Sequence, residues 1–122
     1  MICPSILSAD FSSLKEILKQ MEESGIQVVH FDVMDNHFVP NLTFGAKLIA
    51  DLRPHSSLLF DAHLMIENPQ KDLNLYLDAG ADFITVHYEA CLKEDLKNMA
   101  DKVHSANKKL GISIKPQTPP QV

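Results

Sequence analysis

The sequence predicts an α/β fold: a parallel (β/α) barrel of the TIM type, present as an N-terminal portion of about five strands and four helices. Three observations carry that prediction. Apolar strands alternate with amphipathic helices, the strand centres falling about 25 to 30 residues apart. The strands read as nearly continuous apolar runs, as expected where both faces of a sheet are covered. Polar and ionisable residues gather where several strands end: Ser5 and Ser8, Asp32 and Asp35, His63, His87 and Glu89, and Lys115. Chemistry drawn from the C-terminal ends of successive strands is the barrel pattern. The competing open nucleotide-binding sheet lacks its signatures, since no Gly-x-Gly-x-x-Gly follows the first strand and no Walker sequence occurs.

The elements follow in order. A first strand is expected over residues 2–7, closed by Ser8-Ala9-Asp10, and a helix over 11–23, where Leu14, Ile17, Leu18 and Met21 recur at helical spacing. Gly25 punctuates its end, and residues 28–33 form the second strand. A polar loop with a proline covers 35–43, before a short helix over 44–52. A third strand is expected over 58–64, which Pro69 separates from a helix over 71–79. The fourth strand is 83–87, followed by a helix over 93–107 and a fifth strand over 110–114. Gly25, Gly80 and Gly111 each stand near a helix-to-strand junction, where the chain must stop and reverse.

A chain of 122 residues suits one domain, but a whole barrel needs about 200 or more. The expectation is therefore half of a longer protein, or a sheet completed from elsewhere. With 16 acidic and 11 basic residues, the net charge of −5 argues against nucleic-acid binding. No apolar run approaches the ~20 residues needed to span a bilayer, and no signal-type N-terminus is seen, so no membrane partner and a cytoplasmic location are expected. Cys3 and Cys91 are too few for a disulfide framework. Cys3 is expected as a small buried hydrophobe in the first strand.

His30-Phe31-Asp32-Val33-Met34-Asp35 is the most informative segment. Side chains alternate along a strand, so His30 and Asp32 share a face. Asp61-Ala62-His63-Leu64-Met65 is a matching piece, and neighbouring strands can converge His30, Asp32 and His63 on one point. Nitrogen, oxygen and nitrogen donors suit one divalent metal ion such as zinc or iron(II), with manganese or cobalt as further options. The alternative is a set of satisfied polar groups at strand ends.

Pro4-Ser5-Ile6-Leu7-Ser8-Ala9-Asp10-Phe11, the run from His30 to Gly45, Asp61 to Ile66, Ala79 to Ala90 and Gly111 to Pro119 together resemble the N-terminal part of the ribulose-phosphate 3-epimerase family. These blocks span essentially the whole chain in the family's order. The resemblance implies a ribulose-phosphate-binding (β/α)8 barrel whose downstream strands lie outside residues 1–122. It implies interconversion of D-ribulose 5-phosphate and D-xylulose 5-phosphate through an enediolate, in the pentose phosphate pathway, by a full-length protein that is a homo-oligomer with a small sugar phosphate as its partner. The family's metal is held by two histidines and two aspartates. His30, Asp32 and His63 match three of these, and the fourth, a later aspartate, lies beyond residue 122.

By the same resemblance Asp32 is both a metal ligand and one of two groups that exchange the proton at C3. Ser5 contacts the substrate's hydroxyl end, His63 faces substrate as well as metal, and Met34 and Met65 line the pocket beside the enediolate. On periodicity alone the methionines read as core packing, and Ser5 as a hydroxyl bonded to its own turn. Asp61 either orients a ligand or pairs with a polar group on a neighbouring strand. Asp35 braces the loop that follows it, which resembles a lid carrying His37 and Phe38. Asn36 stands where many members have glycine and tolerates a left-handed backbone. His87 and Glu89 are expected at the pocket's far wall. With the phosphate-binding strands missing, the 122 residues alone are expected to be inactive. Two other readings remain: a D-allulose-6-phosphate 3-epimerase, and a non-catalytic half-barrel interaction module.

Overall fold

The computed structural model describes residues 1–122. Four parallel strands lie side by side in chain order: β1 (Val28–Met34), β2 (Leu59–Met65), β3 (Phe83–His87) and β4 (Lys109–Ser113). They alternate with α1 (Leu14–Glu23), α2 (Ala46–Leu52), α3 (Pro69–Asp78) and α4 (Lys93–Ser105).

The expected first strand does not form. His30 N donates to Pro4 O at 2.8 Å, and Ser5 makes a single parallel bridge to His30. Pro4 has no N–H to extend the ladder. Ser5 Oγ then accepts from Leu7 N and turns the chain into a 3₁₀ turn over Ile6–Ser8. Only Ile6 of this segment is buried, and Cys3 is exposed rather than packed inside. The sheet thus has four strands, not five.

The strands are also less uniform than the apolar runs suggest. Val29, Phe31, Val33, Phe60, Ala62, Leu64, Ile84 and Val86 are buried against Leu14, Leu18, Ile49, Leu73, Met99 and Val103 of the helices. The opposite face carries His30, Asp32 and Met34, which pair in register with Asp61, His63 and Met65. Thr85 stands beside His63. One face of the sheet therefore builds the core, and the other presents functional groups.

Helix ends follow the expected chemistry with one exchange. Gly25 (φ +80°) and Gly80 (φ +99°) take left-handed backbone after α1 and α3. After α4 that role falls to Asn107 (φ +58°), while Gly111 sits inside β4 opposite Thr85. A Cβ on Gly111 would lie 2.9 Å from Thr85 Oγ1, so close approach explains that glycine. Pro69 opens α3 instead of preceding it, because the first helical position makes no intrahelical N–H bond for a proline to lose.

The strands' N-terminal ends are clamped by Asp82. Its Oδ2 accepts from Phe60 N and from Arg53 Nη1, each at 3.0 Å, and its Oδ1 from Lys108 Nζ at 2.9 Å. Arg53 Nη2 donates to Ser56 O and Leu58 O at 2.8 and 2.6 Å, and the guanidinium lies 3.7 Å over the Phe60 ring. No helix is long and apolar enough to cross a membrane.

Candidate active site

His30, Asp32 and His63 meet on the open sheet face, across the seam between β1 and β2. His30 Nε2 and Asp32 Oδ1 are 3.2 Å apart, His63 Nδ1 and Asp32 Oδ1 are 3.2 Å apart, and His30 Nε2 and His63 Nδ1 are 3.3 Å apart. These three atoms form a nearly equilateral triangle. Vertices of a tetrahedron with bonds of about 2.0–2.1 Å lie about 3.3 Å from one another. The donors thus mark one face of a tetrahedral cation site, and the two-nitrogen, one-oxygen set fits a divalent ion of borderline hardness.

Each donor's remaining atom is occupied elsewhere. His30 Nδ1 lies 2.8 Å from Asp61 Oδ2, and Asp61 Oδ1 accepts from Thr85 Oγ1 at 3.3 Å. Asp61 thus contacts His30 with one oxygen and pairs with the neighbouring strand through the other. Ser5 Oγ donates to Asp32 Oδ2 while accepting from Leu7 N, so the hydroxyl joins its own turn to the Asp32 carboxylate. His63 Nε2 lies 2.8 Å from His87 Nε2.

Electrostatics divide the rings. The hydrogen bond to Asp61 raises the His30 pKa against the opposing effect of burial, with the charges of Asp61 and Asp32 adding to it. Burial, then the charge of His30, lowers His63 despite Asp32. Burial, then His63, lowers His87 despite Glu89. With all rings neutral and both Nδ1 of His30 and Nε2 of His63 donating outward, three lone pairs would face one another. A cation at the centre, or a proton on His30, relieves that repulsion.

Met34 and Met65 are cross-strand partners one step beyond Asp32 and His63, on the same face. Met65 is buried and Met34 half-buried. The lid-like loop is tied down by Asp35: Oδ1 accepts from His37 N and Phe38 N at 2.9 Å, and Oδ2 from Glu67 N at 2.8 Å. Asn36 has φ +60°, the left-handed backbone expected of it. Thr43, which the sequence did not single out, donates to Asp32 O at 2.6 Å and accepts from Met34 N at 3.0 Å, bracing the end of β1. No cleft closes over the triangle; the surface concavities lie among Tyr88, Leu96, Ile112 and Ile114, between α1 and α2, beside Glu22 and Ser57, and beside Met1 and Gly25.

A ribulose-phosphate 3-epimerase family model matches residues 1–122. The chain belongs to that family. It is 42% identical over 121 residues to a ribulose-phosphate 3-epimerase of Bacillus subtilis, covering 99% of this chain and 55% of the relative. It is 46% identical over 118 residues to one from Treponema pallidum, covering 97% and 53%. A chloroplastic ribulose-5-phosphate-3-epimerase of Arabidopsis thaliana is 40% identical over 118 residues, with 42% of its length covered. This member of the family thus spans about half the length of the curated relatives it matches. Among solved structures, mandelate oxidase superposes with a TM-score of 0.64 at 16% identity, over 88% of this chain and 40% of that one. That likeness concerns the fold alone, and it is the (β/α) barrel fold.

Proposed function

We propose that these residues are the N-terminal, cation-binding half of a metal-dependent 3-epimerase that interconverts D-ribulose 5-phosphate and D-xylulose 5-phosphate. The observation that carries the reading is the 3.2–3.3 Å triangle of His30 Nε2, Asp32 Oδ1 and His63 Nδ1, in a chain of this family. His30, Asp32 and His63 would hold one divalent ion, zinc or iron(II) by donor type. When bound, the ion supplies positive charge against the oxygen that becomes negative as the C3 proton leaves.

The chain's own residues do the rest. Asp32 Oδ1 faces the triangle, leaving Oδ2 to exchange the C3 proton on one face of the enediolate while the opposing group serves the other face. The Ser5 hydroxyl on Oδ2 holds the carboxylate in plane and donates to the same oxygen. Met34 and Met65, flexible and polarisable, fill the space beside the planar enediolate and keep water from it. Family resemblance puts the opposing proton-transfer aspartate and the phosphate site in strands beyond residue 122, so the 122 residues alone should not turn substrate over. The same reading carries a cytoplasmic place, a small sugar phosphate as partner and self-association of the full-length protein; the net charge of −5 speaks against nucleic acid.

The test is deuterium exchange at C3 by the full-length protein in heavy water, with five- and six-carbon 2-ketose phosphates side by side. Faster exchange of D-ribulose 5-phosphate supports the assignment, faster exchange of D-allulose 6-phosphate redirects it, and no exchange of either by metal-loaded protein ends it.

A further inference from the structure

Lys115 is an ammonium without a carboxylate at the rim of the site. Arg53 and Lys108 share Asp82, and Lys47 meets Asp51. No carboxylate oxygen lies within 4.0 Å of Lys115 Nζ. Its contacts are the Phe38 ring, 4.0 Å from Nζ to the centroid, and Phe38 O at 3.5 Å. A ring face attracts a cation but leaves its charge unneutralised. A carbonyl at that distance engages the ammonium's donors only weakly.

The placement is fixed from both sides. Glu89 Oε1 accepts from Lys115 N and from Thr118 Oγ1, and Thr118 N donates to Lys115 O. The Glu89 carboxylate is thus spent on the backbone beside the ammonium and not on the ammonium itself. Phe38 is held in turn by Asp35 Oδ1, which accepts its N–H. Its ring packs on His87 with centroids 5.2 Å apart, and His87 Nε2 lies 2.8 Å from His63 Nε2. Two rings therefore separate the ammonium from a corner of the triangle. Phe38 follows β1 and Lys115 follows β4, so their contact bridges the ends of the strands between.

The face that this cation borders is acidic, with Asp32 and Asp61 on it and Glu89 at its rim. A phosphate monoester carries about −1.5 to −2 charge at neutral pH, so it approaches those carboxylates against repulsion. An unpaired ammonium supplies the opposite sign. A phosphoryl oxygen would also give it a charge-assisted bond, which the Phe38 carbonyl does not.

We infer that Lys115 is an anion-binding residue at the rim, which receives the phosphate of a small phosphate ester and draws the ester onto the open face, a role that rests on the sugar-phosphate reading above. It is separate from the phosphate site that family resemblance puts beyond residue 122. That site holds the substrate once bound; Lys115 meets it first.

Inorganic phosphate is the first probe, titrated into the metal-free 122-residue chain at constant ionic strength and followed by ¹H–¹⁵N correlation of the amides. The Phe38 and Lys115 signals should shift and saturate at millimolar phosphate. Lys115→Arg should keep those shifts. Lys115→Met, which preserves a stem against Phe38 and removes the charge, should lose them. No saturable shift in wild type, or equal shifts in Lys115→Met, overturns the inference. The second arm is the salt dependence of D-ribulose 5-phosphate turnover by the full-length protein. Lys115→Met should lower kcat/KM by about 3–10-fold at ~10 mM ionic strength and by less than about 2-fold at ~0.5 M, where salt screens the charges. There kcat should move little, and Lys115→Arg should follow wild type. A deficit that salt leaves unchanged also overturns the inference, because holding Phe38 in place would then be the whole role of Lys115. A full-length protein that turns over no ketose phosphate ends the epimerase reading by itself, and the phosphate titration still decides Lys115.

Discussion

His30 Nδ1 lies 2.8 Å from Asp61 Oδ2, which leaves Nε2 as the nitrogen that meets Asp32 and His63. A carboxylate behind an imidazole fixes its tautomer and raises its basicity toward a metal. Asp61→Asn should therefore weaken zinc binding by about 10–100-fold with little change in fold, as read by chelator competition and by circular dichroism. Unchanged affinity would mean that Asp61 serves only its bond to Thr85.

In the proposed function Asp32 carries two jobs on its two oxygens, and Asp32→Asn tests both. In the full-length protein, C3 deuterium exchange should fall by at least ~10²–10⁴-fold, the usual contribution of general acid–base transfer, with weakened metal binding adding to the loss. Cys91→Ser, by contrast, should leave exchange close to wild type. Wild-type exchange by Asp32→Asn would show that another group moves the proton.

Asp82 gives the fold an acid-side weakness. Burial pushes its pKa up, but the hydrogen bonds from Lys108 and Phe60 N and the charges of Lys108 and Arg53 outweigh it, and the folded value sits below the ordinary 3.8. A carboxyl whose pKa is lowered on folding stabilises the protein above its unfolded pKa, and that stabilisation is lost as pH falls through the folded value. Unfolding free energies of wild type and Asp82→Ala from urea titration should differ by about 1–3 kcal/mol near neutral pH and converge as pH drops below about 4. A constant difference down to pH ~2 would place the effect of Asp82 outside its charge.

Gly80 and Gly25 offer an internal comparison. Both have positive φ, but a Cβ on Gly80 would lie 2.5 Å from Arg53 Cδ, while one on Gly25 meets nothing within 4 Å. Gly25→Ala should cost about 1–2 kcal/mol for left-handed backbone alone. Gly80→Ala should cost more, by about a further 1–3 kcal/mol, because Arg53 is pinned by its hydrogen bonds and cannot yield freely. Equal urea midpoints for the two variants would show that Arg53 relaxes without penalty.

The sequence made β1 to β4 and the convergence of His30, Asp32 and His63 legible for a simple reason. Strand alternation of period two says which residues share a face, and apolar runs say where strands lie. Pro4 marks where that reasoning failed: an apolar run looks like a strand, yet edge pairing needs donors, and a proline next to a capping serine ended the ladder. Gly111 failed in another way, because glycine near a helix end signals a turn and only the register with Thr85 reveals close packing. Thr43 was hidden because it stands in a loop outside any strand register, although it reaches back only to Met34 N and Asp32 O; His87 was expected at the pocket's wall, but its approach to His63 on the neighbouring strand was not legible. The same alternation that aligned His30 with Asp32 also puts Thr85 and His87 on one face of β3, and that was the available sign.

The strands stand in space in the order in which the chain is written, β1-β2-β3-β4. Synthesis proceeds at about 5–20 residues per second, N-terminus first, so each strand emerges to find the edge left by its predecessor. All three donors of the triangle lie on β1 and β2, while Thr85 and His87, which brace Asp61 and His63, arrive with β3. Lys108, the last arm of the Asp82 clamp, comes only with the approach to β4. Along the nascent chain the site is thus outlined first, stiffened second, and locked from below last.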